Sequence, residues 1–138
     1  MSDFVVDASI ALSWLMADES DTYADQVLQS LLGRTAIAPS LLILEVANGL
    51  LMAEKRNRTT TADTTAALNH FQQLPITLRG LDSQNNVSEA LSIARSAGLS
   101  VYDASYVALA AAEGLPLATL DQKLSQIASS LGVSKYVP

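Results

Sequence analysis

The strongest constraint on the fold of this chain is the alternation of short β-type runs with helical stretches. Residues 4–6, 36–38, 76–78, 117–119 and 135–137 read as strands, each separated from the next by at least one helical segment, with no tight hairpin signal at the joints. Parallel strands need crossovers of helical length, whereas antiparallel neighbours can be joined by two residues. The pattern therefore predicts an α/β fold, a three-layer sandwich with about five mostly parallel strands flanked by helices.

Local signals set the expected helix limits. Residues 10–16 form the first helix, and Ser20 or Asp21 caps a second over residues 22–32, which Gly33 closes in the left-handed region. Ser40 caps a long helix from Leu41, ended by Lys55, Arg56 and Arg58 with Asn57 as a left-handed stop. Thr59 to Thr61 cap a helix to about Leu74, and Asp82 or Ser83 starts one that Gly98 ends. Residues 99–102 read as an extended link, Asp103 opens an alanine-rich helix stopped by Gly114, and residues 122–131 form the last helix. Neither a repeat nor a linker interrupts the chain, so residues 1–138 are expected to be one domain.

Composition narrows the function. The chain is 49% hydrophobic with 16% charged residues, which is apolar for its 138 residues and predicts a further buried surface such as a homo-oligomer interface. Its formal charge of −6 repels phosphate, so any nucleic-acid role must come from a local site. With no cysteine, disulfides and thiol chemistry are excluded. The N-terminus has no leader pattern and no apolar run reaches the length of about 18 residues typical of a span, which predicts a cytoplasmic protein with no membrane partner.

Four of the 14 acidic residues stand apart from the solvated majority. Asp7 ends the first strand and Asp121 follows the fourth, Asp103 lies at a helix start, and Glu45 is embedded in an apolar helix. If the strands are parallel, all four reach the carboxyl edge of the sheet, where open α/β folds bind ligands. Two like charges about 4 Å apart repel by about 4 kcal/mol at an effective dielectric of about 20, so a cation is expected among them. Oxygen donors without histidine or cysteine indicate Mg²⁺ or Mn²⁺. Four acids exceed the need of one Mg²⁺, so either two ions bind or some acids act on the attacking water from behind the ligands. Ser9 and Thr119, each two residues from an acid, are candidate hydroxyl supports, and Asn48, one turn from Glu45, could hold that carboxylate or a bound water. Capping is the competing reading for Asp103 and Asp121. His70 is expected at the surface, and Trp14 and Met52 in packing.

Together these residues resemble the PIN-domain family of metal-dependent nucleases, and more narrowly the VapC-type toxins of bacterial toxin–antitoxin pairs. The resemblance covers essentially the whole chain. It is carried by Val6, Asp7, Ala8 and Ser9 followed by Trp14, and by Pro39 with Glu45, Val46, Ala47 and Asn48. Further matches are Tyr102, Asp103 and Ala104 through Tyr106, Ala108, Leu109 and Ala110, and then Leu117, Thr119 and Asp121. It implies a five-stranded parallel sheet between helices, a dimer, Mg²⁺ or Mn²⁺ at Asp7, Glu45, Asp103 and Asp121, endonucleolytic cleavage of RNA, and inhibition by a small VapB-like antitoxin. RNA binding by an acidic chain then needs a cationic rim, for which Lys55, Arg56, Arg58 and Arg34 are the candidates. The chain departs from the family at Asn57, where a glycine is common.

Two other functions fit less of the sequence. A haloacid-dehalogenase-type phosphatase needs a second aspartate two residues after the first, where this chain has Ser9. A phospho-accepting receiver module needs adjacent acids after strand one, which are absent. A catalytically inactive PIN fold serving as a binding module is the remaining alternative.

Overall fold

Phe4, Val5 and Val6 are all fully buried, although successive strand residues face opposite sides of a sheet. The first strand is therefore covered on both faces, as a central parallel strand must be. The computed structural model describes residues 2–80 and 84–138. Its sheet has the order β3-β2-β1-β4, with β1 at Phe4–Val6, β2 at Ala36–Pro39, β3 at Ile76–Arg79 and β4 at Leu117–Ala118. Every pairing is parallel: Val5 lies opposite Ile37 on one side and Leu117 on the other.

The expected fifth strand is reduced to one parallel bridge between Lys135 and Leu117, framed by the Leu117 N–H to Ser134 and the Tyr136 N–H to Leu117. A four-stranded sheet results among the described residues, because this segment meets β4 at a single residue pair. Tyr136 instead stacks on Phe4 with ring centroids 3.9 Å apart, so the terminal segment closes the core.

Seven α-helices appear among the described residues: α1 at Ala8–Leu15, α2 at Thr22–Ser30, α3 at Leu42–Lys55, α4 at Thr61–Phe71, α5 at Gln84–Ala97, α6 at Val101–Glu113 and α7 at Gln122–Ser130. A single 3-10 turn, Ala17–Glu19, joins α1 to α2. The expected start of α5 at Asp82 or Ser83 lies outside the described residues. α6 packs across β1, β2 and β4 and buries Ala104 through Ala110, with α5 against it. Its many alanines permit that close approach.

Several local expectations shift. Gly33 does not take the left-handed conformation; α2 ends at Ser30 and unwinds through a turn. Asn57 does take it, at φ 58°, a conformation that asparagine tolerates better than most residues other than glycine. α3 starts at Leu42 without a side-chain cap from Ser40. It is also less enclosed than its composition suggests, because Leu42, Val46, Leu50 and Ala53 are buried while Leu44 is 72% and Leu51 45% exposed. At Gly49 an added Cβ would stand 2.6 Å from a methyl of Leu12, so glycine is what lets α1 and α3 close on each other.

Candidate active site

In this strand order the chain leaves β1 toward β2 on one side, while β4 joins on the other. The carboxyl ends of β1 and β4 thus flank the point where the winding direction changes, the standard ligand crevice of open α/β sheets. Asp7 follows β1 directly and Thr119 follows β4 directly.

Asp7 is only 6% exposed and caps α1, accepting the Ile10 N–H at 3.2 Å. The Ser9 hydroxyl donates to one of its oxygens at 2.6 Å and the Thr119 hydroxyl to the other at 2.5 Å. Both hydroxyls are themselves oriented, since Ser9 Oγ accepts the Leu120 N–H and Thr119 Oγ1 accepts the Asp121 N–H. With lone pairs so engaged, each hydroxyl proton is directed at Asp7. Burial nevertheless pushes the Asp7 carboxyl up to about 6; the hydroxyl and amide hydrogen bonds oppose that rise, and the charge of Asp103 adds to it.

Glu45 sits in the first turn of α3, half-buried, and its partner is Tyr106, whose hydroxyl donates to Oε1 at 2.6 Å. Asn48 is exposed and makes no hydrogen bond to Glu45. Burial raises the Glu45 carboxyl and Asp103 raises it further, against the Tyr106 hydrogen bond. Asp103 occupies the first turn of α6. The cap is Ser100, whose Oγ accepts the Asp103 N–H at 3.0 Å, so residues 101 and 102 are helical rather than an extended link. The Asp103 carboxylate accepts no hydrogen bond from the described residues, and burial followed by the charge of Asp121 raises it. Asp121 is exposed and caps α7 through Leu124 N–H at 3.1 Å.

Asp103 is therefore the electrostatic hub: it is coupled to Asp7, to Glu45 and to Asp121. Among the described residues none of these four carboxylates has a lysine or arginine partner. Nor, among the described residues, are three or more acidic or histidine side chains gathered closely enough to hold a metal ion together. The donor set still suits a hard cation, because Mg²⁺ takes one or two carboxylates and keeps waters for its other positions. Crowded, desolvated oxygens with raised affinity for a proton are also raised in affinity for another small cation.

The candidate basic rim is not brought to this edge. Arg58 donates to both oxygens of Asp18 and to Glu19, all at 2.9 Å, and so ties the start of α4 to the 3-10 turn. Lys55 lies about 15 Å from Glu45 along the α3 axis at 1.5 Å per residue, with Arg56 just beyond it. Arg34 precedes β2 and stands at the opposite, amino edge of the sheet. His70 is exposed in the last turn of α4, and the Trp14 indole donates to Ala24 O at 2.7 Å as a packing residue.

Two features escaped the sequence. Tyr106 meets Glu45 from 61 residues away; its only sequence signal is the spacing of three from Asp103, which puts both on one face of a helix. Lys135 stands beside Thr119 in a cleft that also holds Tyr23, and nothing local in the sequence indicates that.

The chain as a whole is similar to known proteins. The family model described as PIN domain matches residues 4–129. Ribonuclease VapC9 of Mycobacterium tuberculosis is 37% identical over 121 residues, covering 88% of this chain and 87% of that protein. Among solved structures, VapC20 of Mycobacterium tuberculosis, described as a sarcin-ricin loop cleaving toxin, superposes with a TM-score of 0.69 at 15% identity, covering 99% of this chain and 100% of the other. VapBC2 of Rickettsia felis, bound to a DNA fragment from its promoter, gives a TM-score of 0.68 at 15% identity and 96% coverage of both chains. At such identities these two structures speak for the fold. Among the described residues no helix is long and apolar enough to cross a membrane.

Proposed function

The chain belongs to the PIN domain family, and from that premise we propose that residues 1–138 are one nuclease domain, a Mg²⁺- or Mn²⁺-dependent endoribonuclease acting as the toxin of a toxin–antitoxin pair. The observation that supports the proposal is the charge coupling of Asp7, Glu45 and Asp121 to Asp103, with no lysine or arginine partner among the described residues, at the winding switch point of the sheet.

Asp7, Asp103 and Glu45 would hold the cation, with Asp121 as the fourth acid. When bound, the cation supplies a nucleophilic water at neutral pH and offsets charge on the scissile phosphate. The protein groups do the rest. Ser9 and Ile10 N–H occupy one oxygen of Asp7 and Thr119 engages the other, which leaves one lone pair on the second oxygen for a cation. Tyr106 holds Glu45 by one oxygen and leaves the other free. Asp103, whose carboxylate accepts no hydrogen bond from the described residues, is the acid best able to reorient toward a ligand. Thr119 links the two strand ends, because its hydroxyl serves Asp7 while accepting from Asp121 N–H.

The partners follow from the same reading. RNA as substrate implies the cytoplasm as the place of action. A small VapB-like antitoxin is the proposed inhibitor, supported by the toxin–antitoxin assemblies among the structural neighbours. Leu44 and Leu51 are seven residues apart on α3 and both exposed, a stripe suited to a homodimer contact.

The test is cleavage of a mixed RNA pool with Mg²⁺ or Mn²⁺ by the native chain and by Asp7→Asn and Asp103→Asn. Metal-dependent cutting by the native chain alone is expected. Equal cutting by all three would overturn the site, and binding without cutting would favour an inactive PIN-fold module.

A further inference from the structure

A cavity of about 340 Å³ opens beside Thr119, between the start of α2 and the outer face of α7. We propose that it binds one ribonucleotide of the RNA chain next to the cleaved phosphate; this rests on the ribonuclease reading and extends it. Continuity is the first argument. Thr119 lines the cavity while its hydroxyl donates to Asp7, so a group seated there lies directly beside the acidic crevice.

Charge is the second. The chain has eight lysines and arginines, of which Arg58 and Arg79 are ion-paired, Arg34, Lys55 and Arg56 lie away from this edge, and Arg95 on α5 and Lys123 on α7 do not line the cavity. Lys135 is in the cavity wall, its ammonium 4.4 Å from the centroid of the Tyr23 ring and without a carboxylate partner among the described residues. The Tyr23 hydroxyl donates to Tyr136 O at 2.7 Å, which fixes the ring and so positions the lysine above it. A cation held by a ring face keeps its attraction for phosphate, which an ion-paired one such as Arg58 has lost.

The walls match the remainder of a nucleotide. Gln122 and Gln126, one turn apart on α7, are both exposed and make no hydrogen bond to the described residues. A carboxamide carries donors and an acceptor side by side, the pattern of a base edge. Asp21 caps α2 through one oxygen at 3.0 Å, and its other oxygen suits a ribose hydroxyl donor. The volume stands at the small end of the range of about 300 to 1,000 Å³ for ligand pockets, which fits one nucleotide and excludes a duplex.

The experiment measures binding of a labelled short single-stranded RNA by anisotropy to the full chain, in an Asp103→Asn background to suppress cutting. Lys135→Ala is expected to weaken binding about five- to tenfold and to lower the slope of log Kd against log salt by about 0.7. Lys135→Arg restores both, and Arg56→Ala changes neither. In the otherwise native chain, Gln126→Leu is expected to alter base preference beside the cut without changing the Mn²⁺-induced rise in melting temperature. Should Lys135→Ala keep the native affinity and slope, and Gln126→Leu the native base preference, while the native chain cuts RNA, the cavity assignment fails and the ribonuclease reading stands. If the native chain neither binds nor cuts RNA, both fall.

Discussion

Replacing Asp7 by asparagine in metal-free buffer is expected to make the protein more stable. Asp7 pays for its position: moving its carboxyl from 3.8 to about 6 corresponds to about 3 kcal/mol at 1.36 kcal/mol per pKa unit. The sign follows from proton counting. Between about pH 4 and pH 6 the folded chain holds a proton that the unfolded chain has released, so stability falls as pH rises through this window and stays lower above it. Asparagine removes the cost at neutral pH while keeping most contacts. Its Oδ1 can accept from Ser9 and from Ile10 N–H, and asparagine is as good an N-cap as aspartate. What it loses is the Thr119 donation, since its amide must instead donate to Thr119 Oγ1, which already accepts from Asp121 N–H.

Subtracting about 1 kcal/mol for that mismatch leaves a net gain of about 2 kcal/mol, or about 4 to 8 °C in melting temperature for a chain of this size. Urea and thermal melts with a chelator, compared at about pH 7.5 and about pH 4, measure it. The variant should be the more stable at the higher pH, and the gap should close at the lower, where native Asp7 is also neutral. With Mg²⁺ at 100 times its dissociation constant the order should reverse, because the native chain gains about 2.7 kcal/mol. An asparagine variant less stable than native at about pH 7.5 without metal, or a gap independent of pH, would refute the reasoning and make Asp7 a structural cap.

Tyr106→Phe removes the hydroxyl on Glu45, with an expected loss of about 1 to 2 kcal/mol by urea melt and about tenfold in Mn²⁺ affinity by titration. A purely packing role for the ring would leave the titration unmoved. Arg58→Met should leave RNA affinity within about twofold, because its charge is already engaged by Asp18 and Glu19, while amide exchange in the 3-10 turn speeds up. Asn57→Val forces a β-branched residue to φ 58° and should cost about 1 to 2 kcal/mol in a denaturant melt, with RNA cutting intact.

The sequence showed where backbone must turn and where polar groups must lie, and it was silent on what meets what. The strand–helix alternation was legible because each β run is short, apolar and bounded, and each lies in the sheet or bridges to it. α6 starts at Val101, two residues before Asp103. Aspartate and serine are equally good caps, and Val101 and Tyr102 read locally as extended. The partner of Glu45 was sought one helical turn away, where local reasoning can reach, and it came from another helix. The apolar all-round α3 implied enclosure, yet a sequence records only that a face is apolar, and one face is open in the single chain.

The capping and metal-site readings of the four acids describe one placement. In a parallel α/β fold the helices begin at the carboxyl edge, so their N-termini point at the crevice. Asp7 and Asp121 are N-caps, and Glu45 and Asp103 lie in first turns. Each helix start carries roughly half a positive charge and stabilises a nearby carboxylate by about 0.3 to 1 kcal/mol. Four such ends offset part of the repulsion that the raised carboxyls at Asp7, Glu45 and Asp103 record. The same dipoles favour a cation in a last helical turn, as at Lys55 in α3. Lys135, on the terminal bridge beside β4, lines the cavity beside Thr119 from outside the helices, while Lys123 lies in the first turn of α7 just after Asp121.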